Sequence, residues 1–115
     1  MEILLSRLVN LYVTRDSKNL LITNRNDSSI SVLSFKDQKV IKKWKIPGNT
    51  SPDMGGVSAD GKIFWVSGRY DNAIYAISLT DGHLIKRIAT DKGPHGLAVW
   101  PQPGRYSLGH TGIMR

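Results

Sequence analysis

An internal repeat with a period of 44 residues constrains the fold of this chain more than any other feature. When the sequence is shifted against itself by 44 residues, residues 16–46 align with residues 60–90 without a gap. Nine of the 31 aligned positions are identical, and most others exchange similar residue types, such as Ile22 for Val66. A period of about 40–45 residues that contains several short strands is the spacing of β-propeller blades. The repeat therefore predicts consecutive blades.

Each repeat unit reads as short strands separated by turn-forming residues. In the first unit, runs rich in apolar and β-branched residues lie at 20–23, 30–35 and 40–46, and Asn, Asp and Ser between them favour turns. In the second unit, the stretch Thr-Asp-Gly-His at 80–83 predicts a hairpin, because Gly82 accepts the positive φ of a tight turn. No stretch shows the period of a helix. The sequence therefore predicts an all-β chain.

Counted from the innermost strand outwards, the pattern predicts blades of four antiparallel strands. The expected strands are 11–14, 20–23, 30–35 and 40–46 in the first blade, then 55–58, 63–67, 73–79 and 84–89 in the second, with 96–100 opening a third. The expected divisions are a non-repeat segment at 1–10, blade 1 at 11–46, blade 2 at 47–90 and the first half of blade 3 at 91–115. Since propellers use about four to eight blades, the predicted fold is an incomplete β-propeller.

The net charge of +7 raises the question of a nucleic-acid partner. The lysines, however, are concentrated near the predicted outer strand of each blade, at 36–45 and 86–92. Lysines on an outer strand protect the exposed edge of a sheet from pairing with another chain. A groove for single-stranded nucleic acid would also need stacking aromatic side chains among the charges, and only Trp44 lies there. The pattern argues against nucleic acid and favours a solvated edge.

The sequence contains no cysteine, which excludes disulfides, thiolate metal sites and a cysteine nucleophile. No apolar run approaches the roughly 20 residues that a membrane-spanning helix needs. The apolar start at residues 1–13 contains Glu2 and Arg7, and it lacks the basic lead-in and small-residue cleavage site of a signal peptide. We therefore expect neither a membrane span nor a signal peptide in this chain.

Three stretches resemble YVTN-type β-propeller repeat proteins, namely residues 20–34, 68–78 and 93–112. Leu-Ile-Thr-Asn at 21–24 stands where the namesake strand of that family falls. Ser-Ala-Asp-Gly-Lys at 58–62 takes the place of its Ser-Pro-Asp-Gly-Lys turn. The resemblance covers roughly residues 11–115. Because members usually carry more blades, it implies that this chain is the C-terminal part of a longer propeller.

The functional implications of the resemblance are broad. Proteins of this shape include extracytoplasmic binding proteins, lactonase-like enzymes and quinoprotein-like propellers. The resemblance suggests an extracytoplasmic location, and it implies ligand contacts from loops that enter the innermost strands and from loops that join the second and third strands of each blade. These loops share one face, the channel face. In this sequence they contain seven candidate ligand-binding residues: Arg25, Asp27, Asp53, Arg69, Asp71, His95 and His110.

An arginine and an aspartate recur at the same spacing in both units, as Arg25 with Asp27 and as Arg69 with Asp71. In a structural interpretation, each aspartate accepts hydrogen bonds from the amides of its turn, and each arginine pairs with it or with a neighbouring blade. The recurrence favours this interpretation, because repeats share scaffold residues and vary their binding loops. In a functional interpretation, the guanidinium groups face an anionic ligand.

Histidines offer the remaining candidates for chemistry. His95 lies between Pro94 and Gly96 at a tight entry to a predicted inner strand, and imidazole titrates near neutrality. It is either a loop histidine bonded to a backbone carbonyl or a channel-facing group. His83 is expected at a hairpin tip on the opposite face. The histidines lack the spacing of a metal site, and the sequence has no nucleophile elbow, so we predict no metal site, no cofactor and no catalytic residue.

Two functional hypotheses follow from these observations. The first is a non-enzymatic repeat module that acts as a scaffold or binds a small molecule or a protein. The alternative is part of a lactonase-like or quinoprotein-like propeller enzyme that uses channel-face His and Asp residues. Uncovered blade faces predict self-association or missing blades of a longer chain. The large aromatic residues of three units are predicted to fill the space between splayed sheets: Trp44, Trp65 and Trp100.

Overall fold

A computed structural model describes residues 8–100 of the protein, which form two four-stranded antiparallel sheets. The first sheet contains β1 (Leu8–Val13), β2 (Asn19–Asn24), β3 (Ser29–Ser34) and β4 (Lys39–Lys45), in that order. The second contains β5 (Pro52–Val57), β6 (Ile63–Gly68), β7 (Ala73–Ser78) and β8 (Leu84–Ala89). A 3₁₀ turn at Arg25–Asp27 joins β2 to β3. The predicted all-β blades of four antiparallel strands are confirmed.

The two sheets repeat the same strand positions 44 residues apart. Three pairs of strands, β1 with β5, β2 with β6 and β3 with β7, begin and end at this offset. The first strand of each blade starts three residues earlier than the sequence suggested, at Leu8 and Pro52, because its backbone pairs with the next strand beyond an irregularity. Residues 8–10, expected in a non-repeat segment, therefore belong to β1.

That irregularity is a β-bulge at the start of each inner strand. In β5, Pro52 pairs with Gly68 and Gly55 pairs with Val66, so three steps along one strand match two along the other. The same shift occurs in β1. A bulge inserts one extra residue, bends the strand and redirects a side chain. In β5 the bulge contains Asp53, which is fully buried.

The hydrophobic core lies between the two sheets. Alternating residues of β2 and β3, including Leu21 and Ile30, meet alternating residues of β6 and β7, including Phe64 and Tyr75. The rings of Tyr12 and Phe64 lie 5.3 Å apart in a tilted arrangement. Full burial of such a side chain stabilises the fold by about 1.5–3 kcal/mol. Face-to-face packing of blades thus holds the two repeats together.

The outer strands β4 and β8 are mostly exposed, as expected for solvated, lysine-rich edges. Trp44 is the exception on β4, since it packs against the core and against Gly82 in the β7–β8 hairpin. In residues 8–100 no helix is long and apolar enough to cross a membrane.

Residues 96–100, expected to open a third blade, form no strand within the described part of the chain. Residues 97–100 instead border a groove of about 300 Å³ against Trp65, Ile74 and Ile88, on the face of the second blade that points away from the first. The side chain of Trp100 is 87% exposed, so the prediction that it fills a gap between sheets is wrong. Among the described residues, no second sheet flanks it there to enclose the ring. The third blade stays a prediction.

Candidate functional site

Four of the seven candidate residues come together in the structure. Arg25 lies in the 3₁₀ turn after β2, Asp53 in the bulge of β5, Arg69 just after β6, and His95 in the segment after β8. Their side chains converge on the carboxylate of Asp53. Together with Asn10 of β1 we call these five residues the Asp53 cluster. The cluster spans both blades.

Asp53 is the buried centre of the cluster, with only 1% of its surface exposed. Its Oδ1 accepts a hydrogen bond of 3.3 Å from Nδ2 of Asn10. Its Oδ2 lies 4.0 Å from Nη1 of Arg25 and 3.8 Å from Nη1 of Arg69. These distances are those of ion pairs, and Oδ2 accepts no hydrogen bond within the described part of the chain. Oδ2 of Asp53 is therefore stabilised by the nearby positive charges without a hydrogen bond.

His95 completes the ring of groups around this oxygen. Its Nε2 lies 3.6 Å from Oδ2 of Asp53, and its side chain is 53% exposed. Its backbone carbonyl accepts a hydrogen bond of 2.8 Å from Oγ of Ser67, which fastens the segment after β8 to the second blade. The backbone of His95 is thus anchored while its imidazole remains accessible.

The two guanidinium groups keep their donors available. Among the described residues, the guanidinium group of neither Arg25 nor Arg69 donates a hydrogen bond to another side chain or to the backbone, although the backbone N–H of Arg69 donates to the carbonyl of Ser51. Their central carbons lie 5.4 Å and 5.3 Å from the centre of the Tyr70 ring. Such cation–π contacts orient the guanidinium planes without using their N–H groups. Two positive, pre-positioned hydrogen-bond donors therefore stand next to each other.

A shallow cavity of about 290 Å³ opens beside the cluster. It shares Arg25 with the cluster, and its other walls are polar or aromatic: Asn26, Asn49, Thr50, Ser51 and Tyr70. Oγ1 of Thr50 is buried and has no hydrogen-bond partner in the described residues. The cavity therefore offers polar space next to Arg25.

Tyr12 lies beneath the cluster and links the two blades. Its hydroxyl oxygen accepts a hydrogen bond of 2.8 Å from the backbone N–H of Gly55. Burial raises the pKa of Tyr12 to about 12, the nearby Asp53 carboxylate adds to the increase, and the hydrogen bond from Gly55 opposes it. Tyr12 is consequently neutral at physiological pH, and the charges considered in the cluster are those of the two arginines and Asp53.

Asp27 and Asp71 lie outside the cluster and hold their own loops. Asp27 pairs with Lys43 and Lys45 of the outer strand β4. The Lys43 ammonium lowers the pKa of Asp27, and the hydroxyl of Ser29 adds to this effect. Oδ1 of Asp71 accepts hydrogen bonds of 3.0 Å and 2.5 Å from the backbone N–H and hydroxyl of Ser51. Both aspartates thus make structural contacts, but not those that the sequence suggested: Asp27 pairs with lysine side chains, and Asp71 bonds to Ser51 outside its own turn.

The other histidines do not join the cluster. His83 lies at the hairpin tip between β7 and β8, where it contacts the carboxylate of Asp81. His110 lies outside the described residues. Within residues 8–100, no three His, Cys, Asp or Glu side chains come together in a way that could hold a metal ion.

Sequence reasoning misses two residues of the site. The repeat pattern places Asn10 in a non-repeat segment, although Asn10 contributes a hydrogen bond to Asp53. The same pattern marks Tyr70 only as part of a turn, although its 66% exposed side chain sits beside both arginines. The sequence could have indicated Tyr70 as a site residue through its position, because it lies between Arg69 and Asp71 in a candidate loop. Nothing in the sequence near Asn10 marks it.

A protein-family model described as a YNCE-like beta-propeller matches residues 9–104. A search of curated proteins finds no match. Among solved structures, hydrazine synthase from Kuenenia stuttgartiensis superposes with a TM-score of 0.72 at 20% identity, over 84% of this chain and 27% of that one. A streptogramin B lyase gives 0.70 at 18% identity, over 82% and 31%.

A third structure, virginiamycin B lyase from Staphylococcus aureus, gives a TM-score of 0.68 at 17% identity, over 81% of this chain and 32% of that one. The chain thus spans about a third or less of the length of these structures. Identities this low show a common fold. They support the β-propeller predicted from the repeat.

Proposed function

The chain belongs to the YNCE-like β-propeller family, and we propose that it is a non-enzymatic binding module whose channel-face loops hold a small anionic ligand. The proposed site is the Asp53 cluster with the adjoining cavity. Arg25 and Arg69 make the principal contacts, His95 flanks them, and Asp53 and Tyr70 keep the guanidinium groups in place.

The proposal rests on the unused hydrogen-bonding capacity of the two guanidinium groups. Both have a nitrogen within 4.0 Å of the same carboxylate oxygen, yet neither donates a hydrogen bond to it. Hydrogen bonds between guanidinium and an oxyanion are about twice as strong as neutral ones, and planar forks favour carboxylate or phosphate. Because the two nitrogens surround one oxygen, a single oxyanion is able to bridge them.

The charge of the cluster also favours an anion. Two arginines oppose one aspartate, so the cluster has a net positive charge even when His95 is neutral. The loops of both arginines carry a further acid: Lys43 and Lys45 offset the charge of Asp27, and Asp71 accepts hydrogen bonds from Ser51. A partly buried positive charge attracts anions more strongly than an exposed one, since water screens it less.

The enzymatic alternative has no observation specific to this chain in its favour. The lyases and the synthase named above are enzymes by their titles, and a likeness of 17–20% identity extends to the fold alone. A binding role needs only the cluster and the cavity.

The proposal is tested by titrating the full chain with propionate and with inorganic phosphate, followed by calorimetry or by NMR shifts of the arginine side chains. Arg25→Ala and Arg69→Ala should each weaken binding about tenfold or more, since each removes a charged hydrogen bond. Lys86→Ala on the exposed outer strand is the charge-matched control and should bind like the wild type. Binding of neither anion, or binding insensitive to both arginines, would contradict the proposal.

A further inference from the structure

We infer that the ligand of the Asp53 cluster is a small carboxylic acid with a hydroxyl group on the carbon next to its carboxylate. This inference rests on the proposed function and adds the chemical class of the ligand. The cluster contains two guanidinium donors that suit an anion. It also contains a carboxylate oxygen that accepts no hydrogen bond from the described residues, and this oxygen is the basis of the inference.

The acceptor is Oδ2 of Asp53. A buried polar atom without a hydrogen bond is unfavourable, and the effect is larger for a charged group. Asn10 satisfies only Oδ1, and the three cationic or imidazole nitrogens stay 3.6–4.0 Å from Oδ2. A simple anion would bring another acceptor beside this oxygen and leave it without a donor. A ligand that also carries an O–H group would supply the missing hydrogen bond.

The arrangement places this acceptor close to the arginines. Oδ2 lies within 4.0 Å of Nη1 of both Arg25 and Arg69, so a carboxylate held by the guanidinium groups has its neighbouring carbon near Asp53. A hydroxyl on that carbon lies one bond farther from the carboxylate and is within reach of Oδ2. The side chain of His95 is 53% exposed, which leaves it free to move aside as the ligand enters, while Arg25 and Arg69 stay in place.

The net charge of the Asp53 cluster favours a ligand with a hydroxyl group over a ligand with an amino group. A hydroxy acid is a monoanion, which neutralises the single excess positive charge of two arginines and one aspartate. An amino acid is neutral overall and would leave that charge uncompensated. The rest of the ligand has room in the adjoining cavity of about 290 Å³, whose walls are polar or aromatic.

The ligand series lactate, propionate and alanine tests the inference on the wild-type chain. These acids have similar size and differ at one substituent: a hydroxyl, a hydrogen or an ammonium group. Lactate should bind about tenfold or more tightly than propionate, the increase that one hydrogen bond to a charged acceptor produces, and more tightly than alanine. Equal affinity for lactate and propionate, or tighter binding of alanine than of lactate, would overturn the inference.

The variant Asp53→Asn identifies the acceptor. It keeps the size of the side chain and removes the negative charge, so propionate should bind more tightly than to the wild type and the advantage of lactate should fall. Asp60→Asn, in an exposed turn after β5, is the matched control and should keep the full advantage. A lactate advantage that Asp53→Asn leaves intact would exclude Asp53 as the acceptor.

The outcomes separate the two proposals. If propionate and lactate bind equally and the arginine variants weaken both, the anion site stands and only the hydroxyl inference fails. If phosphate binds and no carboxylic acid does, only the hydroxyl inference fails; if neither phosphate nor any acid binds the wild type, both fail. The wild-type series distinguishes these outcomes even where Asp53→Asn does not fold, which circular dichroism would reveal.

Discussion

The hydroxyl oxygen of Tyr12 in the first blade accepts a hydrogen bond of 2.8 Å from the backbone N–H of Gly55 in the second blade. Both residues are buried, and the bond lies just below Asp53. Position 55 requires glycine, because an added Cβ would overlap the backbone carbonyl of Trp65. The bond thus joins β1 of the first blade to β5 of the second.

Tyr12→Phe should lower the free energy of unfolding by about 1–3 kcal/mol, since it leaves a buried N–H at Gly55 without an acceptor. Urea denaturation measures the change. Tyr70→Phe is the matched control: Tyr70 is 66% exposed and its hydroxyl makes no hydrogen bond to the described residues, so its stability should match the wild type. Equal stability of Tyr12→Phe and Tyr70→Phe would contradict the role of this bond.

The pKa of Tyr12 predicts a loss of stability in alkaline solution. Burial raises this pKa from 10.0 to about 12, so the folded state keeps its proton where the unfolded state has lost it. The contribution is therefore fully present below pH 10 and is lost as the pH rises to about 12. Other groups titrate in this range as well, so the measurement compares the pH profiles of unfolding for wild type and Tyr12→Phe. The wild type should show the steeper fall.

Gly82→Ala should destabilise the protein more than Gly93→Ala. Both glycines have positive φ, +79° and +68°, so both substitutions strain the backbone. Only at Gly82 does the added Cβ also overlap a neighbour, the ring of Trp44, whereas nothing lies within 4 Å at Gly93. The difference in melting temperature isolates the contact between the hairpin and Trp44. Similar melting temperatures for the two variants would argue against that contact.

Asp71→Ala should lower stability by about 1 kcal/mol through the lost hydrogen bonds to Ser51, and it should leave anion binding unchanged. Thermal unfolding and the propionate titration measure the two effects. Unchanged melting together with lost binding would show that Asp71 contacts the ligand and does not simply hold its loop.

Self-association is predicted from the number of blades. Two described blades are fewer than the four to eight of a closed propeller, and the groove beside Trp65 and Ile88 presents apolar surface. Light scattering of the purified chain at low micromolar concentration should therefore detect oligomers or aggregates. A single sharp monomer peak with cooperative unfolding would contradict this prediction.

The sequence alone determined the strands and their order into blades. Strand formation depends on local alternation and on turn residues such as Gly82, and the 44-residue repeat states these local preferences twice. The same repeat made Arg25 and Arg69 recognisable as equivalent loop residues. For the first strand of each blade the signal was weaker, because residues 8–10 and 52–54 share no residue type and only their backbone pairing makes them equivalent.

Only the tertiary structure decided how the site is assembled. Asn10, Arg25 and Asp53 lie far apart in the sequence and meet because two blades pack face to face. A bulge in β5 buries Asp53, whereas Asp27 and Asp71, which the sequence ranked equally, face Lys43 and Ser51. Which partners surround a charged side chain, and which of its oxygens lacks a donor, depends on contacts between distant segments. Local sequence patterns do not predict those contacts.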